Sequence, residues 1–311
     1  MGKIGLIFAG QGAQYVGMGK DLYDNIDVCR EVFESADREL GYSISEICFN
    51  GSKEELDSTE NTQPAILTVS IAALKALEIN GIKADIVAGL SLGEYSALVC
   101  SGVISFEDAV KVVKKRGKFM QEAVPQGVGG MAAILGLDRE KVQEACDVAG
   151  EKGLVKIANY NCPGQIVIAG ENEALKLACE KAGELGAKRV LELAVSGPFH
   201  TPLLKPAADK LYSELEKVQL KEMKTPVITN VTADYIEDTK EIKNILKKQV
   251  MSSVLWEDTI IRMIEDGVDT FIEVGPGKAL RGFAKKINRK LNLYNIEDIK
   301  SMNKTLESLK V

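Results

Sequence analysis

The chain has 311 residues, 45% of them hydrophobic and 27% charged, with a formal net charge of −6, an ordinary globular composition for one large domain or two at roughly 100–200 residues each. The acidic balance and the lack of a long basic block argue against a nucleic-acid binder, and no run of about 18 consecutive apolar residues marks a membrane span. Six cysteines without a CxxC pair argue against zinc or redox chemistry and point to reduced thiols in the cytoplasm.

Residues 4–10 form an apolar run ending in a Gly-rich turn and read as a strand, too short for a signal h-region. Met1-Gly2 resembles a myristoylation start, but Leu6 stands where Ser or Thr is required. Residues 64–79 read as a helix, 84–90 as a short strand, and 91–100 and 106–124 as helices. The middle of the chain changes order. Residues 129–135 are strand-like and 138–149 helical, 154–158 and 165–169 strand-like around the turn Asn159-Tyr-Asn-Cys-Pro-Gly164, 171–185 helical, and 189–194 strand-like. That β-α-β-β-α-β order is ferredoxin-like. It predicts a small domain over residues 125–195, joined near Gly127–Gly130 and inserted into a larger α/β domain made of 1–124 and 196–311. Further buried strands are expected at 226–230 and 270–274, and a helix at 240–252.

Gly89-Leu90-Ser91-Leu92-Gly93 matches G-x-S-x-G and lies between a strand and a helix, the context a nucleophile elbow needs. The same serine also opens Ser91-Leu-Gly-Glu94, a capping box that would only finish the helix start. A serine hydroxyl needs a neighbour to take its proton, and the chain has a single histidine, His200, in Ser196-Gly-Pro-Phe-His-Thr-Pro202 at the seam between the two domains. No aspartate offers itself to orient that imidazole. Gln249 lies among Ile242, Ile245, Leu246 and Val250 on the apolar side of its helix, where a polar side chain needs a partner. It can hold His200 through its side chain or through its main-chain carbonyl.

On the 106–124 helix, Arg116 sits in the middle of an apolar arc of Ala109, Val110, Val112, Val113, Phe119, Met120 and Val124, while Lys111, Lys114, Lys115 and Lys118 face away. A buried guanidinium requires an anion or its equivalent. That partner is either an internal carboxylate or a carboxylate on the substrate, gripped by the planar fork. Phe8-Ala-Gly-Gln-Gly-Ala-Gln14 follows the first strand. It is either a connecting turn or one arm of an oxyanion hole, with the N–H of Gln11 acting beside the N–H of Leu92.

Taken together with Thr62-Gln-Pro64, Arg116-Gly-Lys-Phe-Met120, Asn161-Cys-Pro-Gly-Gln165, Asn230-Val231 and Glu273-Val-Gly-Pro-Gly277, these stretches resemble the malonyl-CoA:acyl-carrier-protein transacylases of fatty acid synthesis and the related acyltransferase domains of polyketide synthases. The resemblance covers nearly the whole chain. It implies an α/β-hydrolase-like core with an inserted ferredoxin-like subdomain, and a malonyl-serine intermediate on Ser91. It further implies His200 as base, Arg116 on the malonyl carboxylate, Gln11 and Leu92 as oxyanion donors, and Gln249 fixing His200 by its backbone carbonyl. Phe199 resembles the bulky residue of malonyl-selective members. Asn159 and Asn161 either line the cleft from the small domain or cap a turn, and turn capping is the expectation. The expected substrates are malonyl-CoA and the phosphopantetheine thiol of acyl carrier protein, with no metal and no permanently bound cofactor, in a cytoplasmic monomer. Leu90 stands where the family usually has a histidine; with His200 as base, the chemistry is expected to survive. Two basic clusters, Lys114/Lys115/Lys118 and Lys285/Lys286/Arg289/Lys290, read first as solvated charged faces, and either is a candidate for docking an acidic carrier. A serine thioesterase and a non-catalytic docking module are the rival readings.

Overall fold

The computed structural model describes residues 2–125, 127–195 and 197–310. Ser196 of the histidine motif, the Met1 of the amino-terminal dipeptide and the 195/196 domain boundary lie at or outside those limits. The strands are β1 (Lys3–Phe8), β2 (Ile86–Gly89), β3 (Gly129–Leu135), β4 (Val155–Cys162), β5 (Gln165–Glu171), β6 (Arg189–Glu192), β7 (Val227–Ile228), β8 (Val268–Val274) and β9 (Asn292–Ile296).

They form two sheets. The larger has the order β7-β2-β1-β8-β9, with every neighbouring pair parallel. A parallel sheet is covered on both faces, so successive residues are buried on opposite sides. In β1, Leu6 and Phe8 join the main core on one face, while Ile7 packs with Ile86, Ala88, Ile228 and Trp256 on the other. The helix Thr59–Ile79 supplies much of the main core. It is long and apolar enough to cross a membrane by length and composition alone, but 83% of its apolar window is buried against the rest of the molecule.

The smaller sheet has the order β4-β5-β3-β6 and is antiparallel throughout. With the helices Arg139–Ala149 and Asn172–Glu184, it is the expected ferredoxin-like unit. The period of 2 along its strands divides its residues between two cores. Ala132 and Ile134 of β3 pack against the unit's own helices, whereas Met131 and Ala133, one residue out of phase, join the main core. The two sheets therefore share a seam, and the cleft lies along it.

Two expectations change at the level of elements. Residues 159–162 belong to strand β4 instead of a turn, because Asn159, Tyr160 and Cys162 keep pairing with β5 through two irregularities and Asn159 also bridges to Val254. The edge strand β9 was not expected. Its sequence, Asn-Leu-Tyr-Asn-Ile, carries two asparagines that weaken the strand signal, yet it pairs with β8 over five residues.

Candidate active site

Strand β2 ends at Gly89 and the next helix begins at Gly93 (Gly93–Cys100). Between them Ser91 has φ 53°, in the left-handed region that costs a non-glycine residue energy. The surroundings hold it there. The Ser91 N–H donates to Asn230 Oδ1 at 2.6 Å, and Asn230 Nδ2 donates to the Gly89 carbonyl at 2.7 Å. The flanking glycines are steric necessities: a Cβ on Gly89 would meet the main chain of Gly93, and one on Gly93 would meet the carbonyl of Phe8. The capping-box reading fails, since the helix start has no side-chain cap and the Ser91 hydroxyl is engaged elsewhere. Leu90, in the histidine position of the related motif, lines the cleft and packs toward the Ile7–Trp256 side of the sheet.

Ser91 Oγ lies 2.8 Å from His200 Nε2, and His200 Nδ1 lies 2.9 Å from the main-chain carbonyl of Gln249. A carbonyl can only accept, so Nδ1 carries the hydrogen and Nε2 is left as the acceptor for the serine hydroxyl. Burial, and then the nearby charge of Arg116, pushes the His200 pKa down to about 4, against the opposing pull of main-chain contacts at Gln249 and Ser252. The imidazole is therefore neutral at pH 7.

Arg116, on the helix Phe106–Glu122, is 1% exposed. Its partners are all neutral: Nη1 donates to Gln63 Oε1 at 2.8 Å, and Nη2 donates to Gln249 Oε1 at 2.9 Å and to Ser91 Oγ at 3.1 Å. Its Nε finds no hydrogen-bond partner among the described residues. The guanidinium also lies 5.6 Å from the Tyr95 ring centroid. No carboxylate among the described residues touches it, and burial lowers its pKa. The Gln249 side chain is committed to Arg116, to the Ser91 carbonyl at 3.0 Å and to Glu94 Oε2 at 2.8 Å. Of the two ways open to Gln249 for holding His200, the structure uses the main-chain one.

These groups open on a cleft of about 230 Å³. Gln11, Ser91, Arg116, Phe199 and His200 line it, with apolar walls from both sheets and from the helix Ala279–Ile287. The main-chain N–H groups of Gln11 and Leu92 donate to no acceptor among the described residues, which leaves both free to receive an oxyanion. Asn159 and Asn161 also line the cleft, and Asn161 Oδ1 is buried without a hydrogen-bond partner among the described residues. The expectation that they cap a turn is thus replaced by a place on β4 in the cleft wall.

Three residues of the site had no role assigned from sequence. Gln63 orients the guanidinium, Asn230 holds the elbow, and Glu94, wholly buried, accepts from Gln249 Nε2 and from the Asn230 N–H at 3.0 Å. Burial pushes the Glu94 carboxyl up to about 7, against the pull of Gln249, Asn230 and Arg116. The available signal was each polar residue beside an apolar run.

A neutral imidazole accepting from a serine at an elbow, beside a buried cation with no anion of its own, defines a site able to carry an acyl group that bears a negative charge. A family model described as acyl transferase domain matches residues 6–303. The malonyl CoA-acyl carrier protein transacylase of Bacillus subtilis (strain 168) is 49% identical over 311 residues, spanning 100% of this chain and 98% of that protein. The solved malonyl CoA-acyl carrier protein transacylase from Clostridium perfringens ATCC 13124 superposes with TM-score 0.96 at 51% identity, covering 99% of this chain and 97% of that one. A malonyl-transacylase solved in complex with a type II PKS acyl-carrier protein superposes with TM-score 0.96 at 41% identity, covering 98% of this chain and 99% of its own. The chain belongs to the acyl transferase family and, within it, to the malonyl CoA-acyl carrier protein transacylases.

Proposed function

We propose that this chain moves a malonyl group from malonyl-CoA to the phosphopantetheine thiol of an acyl carrier protein by way of an ester on Ser91. The observation that carries the residue assignment is the 2.8 Å contact of Ser91 Oγ with His200 Nε2 beside an Arg116 that has only neutral partners. The malonyl carboxylate takes the place of the missing anion at the guanidinium fork. Ser91 Oγ attacks the thioester carbon while its proton passes to His200 Nε2. The Nδ1–H stays on the Gln249 carbonyl, which orients the imidazole and stabilises its positive charge through the dipole of the carbonyl. The N–H groups of Gln11 and Leu92 receive the oxyanion; each such donor contributes roughly 10²–10³ in rate. Collapse expels the CoA thiolate, which takes the proton from His200. The carrier thiol then attacks the malonyl ester and the same groups act in reverse order.

Phe199, buried in the cleft wall next to His200, restricts the space beside the α-carbon and favours malonyl over α-branched acyl groups. The residues divide into a catalytic domain, 1–124 with 196–311, and a subdomain, 125–195, that closes the cleft. The chain works in the cytoplasm, where its free thiols stay reduced.

The test is acylation followed by intact mass with malonyl-CoA and acetyl-CoA. The wild type gains a malonyl mass and Ser91→Ala gains none. Arg116→Ala loses malonyl acylation by roughly 10²-fold or more in kcat/KM, the scale of a buried charge pair, and loses acetyl acylation far less. Equal losses would remove Arg116 from the carboxylate site, and free malonate as the main product would make the chain a hydrolase.

A further inference from the structure

The one carboxylate buried in the site touches neither the nucleophile nor the base. Glu94 Oε2 accepts from two donors, Gln249 Nε2 at 2.8 Å and the Asn230 N–H at 3.0 Å, while Oε1 has no hydrogen-bond partner among the described residues. On its far side, the Gln249 amide presents Oε1 to Arg116 Nη2 at 2.9 Å. A primary amide turned by 180° has almost the same shape but the opposite polarity. Here the polarity is fixed from both ends: Arg116 can only donate, the Ser91 carbonyl at 3.0 Å from the same Nε2 can only accept, and Glu94 Oε2 accepts beside it.

We propose that Glu94 is a positioning residue for carboxylate recognition: it sets the sense of the Gln249 side-chain amide and through it holds the Arg116 guanidinium where the substrate's carboxylate lands. A carboxylate in direct contact with Arg116 would fill the fork and compete with the substrate. One amide farther away, Glu94 acts on the guanidinium only through Gln249 and leaves the fork open. The same carboxylate holds the main chain of Asn230, whose side chain pins Ser91 and Gly89. Glu94 therefore links the place where the acid end of the substrate binds to the place where its carbonyl is attacked. Its position three residues after the nucleophile, on the first turn of the elbow helix, ties this link to the turn itself.

The inference rests on Arg116 as the malonyl site, and the experiment separates the two. Ser91 acylation is measured with malonyl-CoA and acetyl-CoA for Glu94→Ala, Glu94→Gln, Arg116→Ala and the Glu94→Ala/Arg116→Ala pair. Glu94→Ala raises the KM for malonyl-CoA by roughly 10-fold, the effect of one hydrogen bond to a charged group, with a smaller change in kcat and in the KM for acetyl-CoA. Glu94→Gln, which keeps an acceptor for the same two N–H groups, shifts malonyl KM in the same direction by less and serves if the alanine variant does not fold. In the Arg116→Ala background, Glu94→Ala leaves malonyl KM where Arg116→Ala put it. Equal shifts for malonyl-CoA and acetyl-CoA, or additive effects in the double variant, overturn the role of Glu94. If Arg116→Ala alone leaves malonyl KM unchanged, the assignment of Arg116 itself fails.

Discussion

Because Gln249 meets His200 with a carbonyl and not a carboxylate, no anion among the described residues touches the imidazole, while the Arg116 charge lies close to it through Ser91. Burial and that charge act in the same direction, which is why the pKa falls to about 4 from the ordinary 6.5. The base form is thus present over the whole physiological range, and it is lost only in acid. A neutral serine reagent such as a fluorophosphonate isolates this effect, since it makes no use of the carboxylate site. Its rate of reaction with Ser91 should stay level as pH falls through 6.5 and drop with a midpoint near about 4. A midpoint at the ordinary histidine value would mean that the imidazole is hydrated or paired with an acid, contrary to the geometry. The sequence could name His200, because there is only one histidine. It could not tell whether a side chain or a main-chain carbonyl holds the ring, since backbone groups carry no residue-specific signal. Glu94 escaped for a related reason: in sequence it looks like the fourth member of a capping box, and only the coordinates turn its carboxylate inward.

At the scale of elements, the elbow depends on how closely the start of the Gly93–Cys100 helix approaches β1. The carbonyl of Phe8 occupies the space a Gly93 side chain would need, and main chain cannot swing aside as the end of a lysine can. Gly93→Ala is therefore expected to destabilise the protein by about 1–3 kcal/mol, as overpacking does, read as a lower urea midpoint. It should also slow Ser91 acylation by roughly 10²-fold, the cost of displacing a reacting group by about an ångström. An alanine variant with wild-type midpoint and acylation would show that the strand and helix have slack enough to take the extra methyl group. The strand–turn–helix order around Ser91 was readable because small residues at fixed spacing have few other uses. The ferredoxin-like order of the middle segment was readable from alternation and length. The ends of elements were less so. Residues 159–162 carry Asn, Pro and Gly neighbours that read as a turn, but pairing with β5 and the bridge to Val254 keep them in the strand. The outcome matters for function, since it places Asn159 and Asn161 in the cleft wall.

At the scale of the whole molecule, the cleft exists because the β3 face carrying Met131 and Ala133 joins the core of the larger domain, so that two sheets from different stretches of chain close around one space. The two basic clusters differ in how their charge is offset. Lys114, Lys115 and Lys118 are each paired with a carboxylate: Glu60 at 2.7 Å, Glu214 at 2.6 Å and Glu122 at 3.9 Å. Lys285, Lys286, Arg289 and Lys290 are exposed and form no ion pair among the described residues. They lie at and beyond the end of the helix Ala279–Ile287, whose Leu280 and Phe283 line the cleft. An acidic carrier docking there would meet unneutralised charge at the end of a helix that lines the cleft. Charge reversal at Lys285, Arg289 and Lys290 should raise the KM for carrier protein by roughly 10-fold at low salt. The effect should shrink as salt rises, while Ser91 acylation by malonyl-CoA changes little. The same substitutions at Lys115 and Lys118 should matter less, because those charges are already offset. If instead that second set impairs transfer to the carrier and the first does not, the carrier approaches across the Arg116 helix, and charge pairing within this chain is no guide to where it docks.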